Sequence, residues 1–261
     1  DVYKRQLHGV DRRAVGVILS AMRLALSAPL WHRRDCFHHP LEALMIHPLH
    51  AELGCLQIER IAVDSQAAHI HLRDGQQFAL KLDGYLRLDR LAAAQRDDVR
   101  LEGGGFVASW RHHDAGLCDS IDLAWDELQD QALKRLHAAG WDLDAISSRD
   151  RQLVVLWRLQ ADYYNGGLMQ FFANWGLPTF ELAQQALTLI GLPAACQALR
   201  DLYAVFARLQ DEPEEIALWD ICSWLSEAEN VRIEALDDGF DALISDLPIR
   251  ALHHFLVVDT R

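Results

Sequence analysis

Tyr163-Tyr164-Asn165-Gly166-Gly167-Leu168-Met169-Gln170-Phe171-Phe172-Ala173-Asn174-Trp175-Gly176 is the stretch that decides how the second half of this chain is read. Asn165 and Gly166 take positive φ at little cost, so one helix can stop there and the next start at once. Met169, Phe171, Phe172 and Trp175 fall mostly on one face of a short helix and are expected in the core. Gln170 and Asn174 stand four apart on that helix, within reach of neighbouring backbone at the junction. Read this way, the stretch braces a helix corner. The competing reading makes Asn165, Gln170 and Asn174 the polar lining of a ligand pocket.

Helical periods extend in both directions from this corner. Ser120 is placed to cap a helix running to His137, which stops near Gly140. Ser147 or Ser148 starts a second, whose Leu153, Leu156, Trp157 and Leu159 make an apolar face ending at Asn165-Gly166-Gly167. Leu168 to Trp175 forms a short helix closed by Gly176, and Thr179 begins another that ends at Gly191. Pro193 suits the first turn of the next, with Leu199, Leu202, Tyr203, Phe206 and Leu209 as its buried stripe. Further helices are drawn from Pro213 through Ile216, Leu218, Trp219 and Trp224, from Ile233 to Ile244, and from Ile249 to Val257. Short connections between so many helices predict an all-α bundle over residues 119–261.

Before residue 118 the period is two. Ile58, Ile61 and Val63, then Ala68, Ile70 and Leu72, then Phe78 and Leu80 read as short strands, with a hairpin at Asp74-Gly75. Leu86 to Ala94 reads as helical; Val99-Arg100-Leu101 and Phe106 to Trp110 supply more strands. Gly103-Gly104-Gly105 precedes a strand instead of a helix, so it is expected to be a loop and not a phosphate cradle. The fold class predicted is α+β, a small strand-rich N-terminal module over 45–118 followed by an all-α helical bundle domain over 119–261.

The chain has 261 residues, enough to bury a core without disulfides or a structural metal. Cys36, Cys55, Cys118, Cys196 and Cys222 are odd in number and scattered, which argues against a secreted disulfide scaffold and a zinc ribbon and points to a reducing cytoplasm. The net charge of −13 is unevenly placed: residues 1–118 carry 15 Lys/Arg against 14 Asp/Glu, residues 119–261 carry 10 against 24. Such a field repels nucleic acid and anionic membrane and attracts basic surfaces, although it also serves plain solubility. Residues 14–30 suggest an amphipathic helix through Val15, Ile18, Leu19, Met22 and Leu26; Arg23 interrupts the run, which is too short to span a bilayer. Asp1-Val2-Tyr3-Lys4-Arg5-Gln6 is what a transposon-end adaptor encodes, so residues 1–44 are taken as a leader that is artefactual or truncated, with Met45 a candidate start.

The 163–176 stretch, continued by Ala186-Leu187 and Ile190-Gly191, resembles the signature of the bacterial DNA-mimic protein family, and the likeness covers about residues 120–258. Asn165, Gly166, Gly167, Gln170, Phe171, Phe172, Asn174 and Gly176 carry it. The resemblance implies a non-catalytic cytoplasmic protein in transcription regulation. Its carboxylates would stand in for phosphates and occupy the DNA-binding face of a basic DNA-binding protein, with no direct contact to nucleic acid or membrane. A homodimer stays open, and no cofactor or metal is implied. The acidic-face candidates are Asp211, Glu212, Glu214, Glu215, Asp220, Glu227, Glu229, Asp237, Asp238 and Asp241. Acid at 211–215 also suits a helix start. Like charges at the Asp237, Asp238 and Asp241 spacing cost a few tenths of a kcal/mol each, which a partner would relieve. The alternative function is an adaptor or small-ligand module using the Asn-Gly-Gly pocket. A second likeness, over residues 56–128, is to a small bacterial domain-of-unknown-function family, carried by Arg73-Asp74-Gly75, Phe78, Leu82-Asp83, Phe106 and Trp110.

Enzyme readings compete with these. His112-His113-Asp114 near Cys118 can be drawn as a Cys-His site, but adjacent histidines in a polar loop are usually just exposed. Cys36, His38, His39, His47 and His50 can be drawn as a zinc set, but Pro40 and Pro48 break the spacing. His253-His254 near a helix end is explained by the helix dipole and solvent.

Overall fold

Strands Ile58–Val63 (β1), Ala67–Leu72 (β2) and Gln77–Lys81 (β3) pair antiparallel in the order β1-β2-β3, with Ala68, Ile70 and Leu72 on the buried face. The computed structural model describes residues 47–84, 86–110, 116–211 (Asp211 by its backbone alone) and 216–259, all within one compact unit, His39–Arg261. The drawn helix at 14–30, the leader and Met45 lie outside the described residues. The β2–β3 hairpin turns at Asp74-Gly75 as expected: the Gly75 N–H donates to the Leu72 carbonyl at 3.1 Å, and Gly75 has φ +90°.

A second antiparallel sheet, β4-β5-β6, comprises Val99–Glu102, Val107–Trp110 and Cys118–Asp119. Gly103, Gly104 and Gly105, at φ +56°, +70° and +94°, form the turn that leads from β4 to β5. The Gly104 carbonyl accepts from Gln57 Nε2 at 2.6 Å, so the triple glycine is a tied loop. The helix drawn over Leu86–Ala94 is not one element. Arg87 is left-handed and Ala92 extended, which leaves a 3-10 turn at Leu88–Arg90 and a single α-turn at Ala93–Arg96.

From residue 120 the described chain is helical. Helix α1, Ser120–Ala138, is capped by Asp119, whose carboxylate accepts from the Ile121 N–H at 2.8 Å, and not by Ser120, which already lies inside the first turn. Ser147 caps the long run α2, Ser148–Leu189, through the Asp150 N–H. The run breaks at Gly166-Gly167 and at Gly176, where the sequence places its stops. Helix α3, Pro193–Phe206, has Pro193 in its first turn. Between Ala217 and Leu225, both extended, Leu218–Trp224 is 3-10 and not the α-helix drawn from Pro213; residues 212–215 lie outside the described ones. Helix α4 is Glu227–Ile244, and α5, Leu247–His253, ends in a π-turn at His254–Val258.

Two interactions lock α1 to α2. Gln160 Oε1 accepts from Trp125 Nε1 at 2.9 Å and from Gln129 Nε2 at 3.3 Å, all three residues being buried. Arg135 grips the Asp150 carboxylate with two nitrogens, at 2.9 and 2.6 Å. Burial raises the Asp150 pKa, but hydrogen bonds from Arg135 and Ser147 outweigh it and hold the carboxyl below its usual range. An aromatic cluster joins the broken helix to α3: Phe172 meets Phe180 at 5.2 Å and Phe206 at 4.7 Å between ring centroids. The sheets attach to this body through the Ser120 N–H, which donates to the Phe106 carbonyl at 2.9 Å, while His50, in the 3-10 turn Pro48–Ala51 ahead of the sheets, stacks on the Phe106 ring at 4.2 Å. Among the described residues, no helix is long and apolar enough to cross a membrane.

Phe180 is fully buried at the centre of that cluster. Phe180→Ala is expected to lower unfolding free energy by about 3–5 kcal/mol. Leu189→Ala, at a position 42% exposed, should stay within about 0.5 kcal/mol. Urea denaturation followed by circular dichroism measures both.

Candidate functional site

Asp162 lies on the last turns of α2 before the first break and is buried. Its carboxylate accepts from Asn174 Nδ2 at 2.7 Å and Gln170 Nε2 at 3.3 Å on one oxygen, and from Trp175 Nε1 at 2.5 Å on the other. Four residues upstream, the buried Arg158 lays its guanidinium 3.7 Å over the Trp175 ring. The motif amides therefore turn back onto a side chain of the preceding helix, where a backbone contact was expected. Burial drives the Asp162 pKa up, against the three donors and Arg158.

A second carboxylate fixes the restart of the helix. Asp237 on α4 accepts the Leu168 N–H at 2.7 Å, filling the role of a helix cap from a different element. The Tyr163 hydroxyl donates to the Asp237 carbonyl at 2.9 Å, and the Tyr164 hydroxyl to Asp241 Oδ1 at 2.8 Å. Gly167 has φ +82° and ψ −179°, a region essentially restricted to glycine, and a Cβ there would lie 2.5 Å from Asp237 Oδ2. Asp237 is half-buried, and its pKa is raised, by burial first and by Asp238 as well.

The described residues among the ten drawn as one acidic face thus occupy different environments. Asp237 is engaged inside the corner, and Asp241 is exposed with one oxygen on Tyr164. Glu229 closes a capping box with Ser226 and holds Arg208 through both oxygens, at 3.1 and 3.0 Å. The hydrogen bonds from Arg208 and Ser226 keep the Glu229 carboxyl down at about 2. Asp220, Glu227 and Asp238 are exposed and, among the described residues, carry no salt bridge. Glu212, Glu214 and Glu215, and the Asp211 side chain, lie outside the described residues. Glu234, not among the ten, is exposed on the same side of α4: Glu227, Glu234 and Asp238 follow an i, i+7, i+11 spacing, with the 56% exposed Val231 between them.

Of the four motif residues expected in the core, Phe171 and Phe172 are buried, while Met169 and Trp175 are half-buried, Trp175 because it is turned onto Arg158 and Asp162; Gly176 is buried and Asn165 is exposed at the corner. An open groove of about 520 Å³ runs between the end of α2 and α3 and is lined by Gln184, Thr188, Cys196 and Arg200, among others; none of the motif residues lines it. Cys36, His38, His39 and His112-His113-Asp114 lie outside the described residues. His47 pairs with Asp246 at 3.3 Å and His253 with Glu52 at 3.2 Å, so these histidines join the N-terminal segment to the last helices. Among the described residues, no group of three or more His, Cys, Asp or Glu side chains is placed to hold a metal ion.

Asp162 was missed at the sequence level, and so was Glu234. The signal for Asp162 was present: it stands three residues after Leu159 and seven after Val155, on the buried face of its helix, where an acid needs partners.

A helix broken twice at glycines, braced at the first break by two carboxylates and flanked by an exposed acidic helix, defines the helical domain. Residues 144–258 match the family model of DMP19-like protein, named for DNA mimic protein 19. The match takes in the broken helix and everything after it; α1 and both sheets, including the 56–128 region, precede it. No curated protein and no solved structure matches the chain.

Asp162→Asn leaves one acceptor oxygen for three donors, and the expected loss is about 1–3 kcal/mol at neutral pH. The raised Asp162 pKa means the folded state keeps a proton that the unfolded chain has released. Its contribution to stability therefore falls as pH rises from the ordinary value of 3.8 through the raised one, and the gap between native protein and Asp162→Asn should widen on acidification toward pH 4. Gly167→Ala is expected to cost about 1–3 kcal/mol through backbone strain alone. Urea midpoints for the three proteins at two pH values provide the check.

Proposed function

We propose that the helical domain is a non-catalytic binding module. Its exposed carboxylates occupy the DNA-binding face of a basic DNA-binding protein, as a DNA mimic in the bacterial cytoplasm. The observation that carries this reading is the exposed row on α4, Glu227, Glu234 and Asp238, continued by Asp241, in a segment matched by the DMP19-like family. At about 1.5 Å per residue this row spans about 21 Å. One DNA strand places about six phosphates over that length, so four carboxylates supply roughly two-thirds of its line of charge. Arg232 stands on a different side of the helix, about 140° round from Glu227. Asp220, on the neighbouring 3-10 segment, adds to the field.

Asp237 and Glu229 support the reading differently from the exposed row. They fix the corner and the start of α4, and so hold the remaining carboxylates on a rigid support. Rigidity matters because a charge array held in place does not lose conformational entropy when its partner binds. The competing pocket reading for Asn165, Gln170 and Asn174 has less support, since the Gln170 and Asn174 amides already donate to Asp162.

The test uses the purified protein, immobilised at low salt, and host extract with duplex DNA as competitor. A captured DNA-binding protein should be displaced by the duplex and by raising salt past about 0.15 M, where screening shortens to about 8 Å. Glu227→Lys/Glu234→Lys/Asp238→Lys should lose capture and keep its unfolding midpoint. Capture that ignores salt, duplex and charge reversal would contradict the reading.

A further inference from the structure

Four large apolar side chains stay exposed in the acidic row and in the segment that leads into it. Trp219 is 62% exposed, Val231 56%, Trp224 41% and Leu218 36%. Three belong to the 3-10 segment Leu218–Trp224, which is tied to α4 and its surroundings. Asn230 Nδ2 donates to the Cys222 carbonyl at 3.5 Å, and Arg208 bonds the Trp224 carbonyl at 3.2 Å as well as Glu229. Val231 sits within the Glu227, Glu234, Asp238 row itself. Two indoles are thus left substantially exposed in the segment that leads into the carboxylate-bearing helix.

We propose that Trp219 and Trp224 are the apolar anchors of a docking surface whose occupant is an arginine-bearing segment of a basic protein. The inference rests on the acidic-face reading and deepens it by naming the chemistry that gives close-range affinity. Carboxylates attract a cationic partner over distance but contribute little to tight contact, whereas exposed tryptophans are the residue type that most often dominates an interface. Arginine is selected over lysine because its planar guanidinium stacks on an indole and pairs with a carboxylate at once. Asp220 lies next to Trp219, and Glu227 three residues after Trp224. The same trio already occurs inside this protein, where Arg158 stacks on Trp175 while Asp162 accepts the Trp175 Nε1–H. A second copy of the chain is disfavoured as occupant, because it would bring its own acidic row against this one.

The probes are a nona-arginine and a nona-lysine peptide of equal charge, titrated against the full chain by calorimetry. The arginine peptide is expected to bind about fivefold more tightly, the size of one exposed cation–π contact. Trp219→Ala/Trp224→Ala should erase that preference and leave lysine-peptide affinity unchanged. In the unaltered protein, the indole N–H resonances of Trp219 and Trp224 should shift on adding the arginine peptide, a readout that needs no variant. Equal affinities with silent indole resonances would overturn the anchors while leaving the acidic face standing. Failure of both peptides to bind, with Glu227→Lys/Glu234→Lys/Asp238→Lys no different, would overturn the acidic face itself. Concentration-dependent dimerisation abolished by the tryptophan variants would overturn the choice of occupant.

Discussion

A carboxylate removed from water costs several kcal/mol unless its oxygens are met by donors. Asp162 meets that demand with three side chains drawn from one short stretch after the helix break. Because Gln170, Asn174 and Trp175 all reach back to the same group, the direction of the 168–175 helix relative to the one before it is set by this carboxylate. Asp237 then fixes the start of that helix from α4. The chain of dependence runs from one buried charge to the corner, from the corner to α4, and from α4 to the acidic row it displays.

The excess acid of the C-terminal half therefore does two jobs. Asp150, Asp162, Asp237 and Glu229 satisfy donors inside the domain or along its helix ends. Glu227, Glu234, Asp238 and Asp220 are left to solvent among the described residues. A net charge does not separate these groups, whereas burial and donors do. Environment moves individual carboxyls in opposite directions: burial raises Asp162 and Asp237, while hydrogen bonds hold Glu229, met by Arg208 and Ser226, and Asp64, met by the Gln66 and Ala67 N–H groups and His69, at about 2. Glu229 and Asp64 favour the folded state above the ordinary carboxylate range and lose that effect as pH falls toward 2.

Much of the fold was legible because glycine and periodicity are local signals. Gly75 and Gly176 stand where φ is positive, whereas at the first break of α2 the positive φ falls on Gly167 and not, as expected, on Asn165 or on Gly166, whose φ is −172°. The helix ends were less legible where two cappers compete: Asp119 precedes Ser120 and takes the Ile121 N–H first. The 218–224 segment misled because its apolar residues suit a helix, yet Leu218, Trp219 and Trp224 are exposed. The candidate site was legible only in part. Contacts such as Asp237 with Leu168 join residues about seventy positions apart, and nothing in the local pattern distinguishes Asp237 from its neighbour Asp238.

The central claim, that buried carboxylates build the corner and exposed ones meet the partner, is tested most directly by carboxyl-carbon NMR titration of each Asp and Glu, with and without a basic protein ligand. The account predicts that Asp162 and Asp237 titrate above the usual carboxylate range and do not respond to the ligand, while Glu227, Glu234 and Asp238 do. An Asp162 that titrates like an exposed acid, or a ligand response centred on Asp162 and absent from α4, would contradict it.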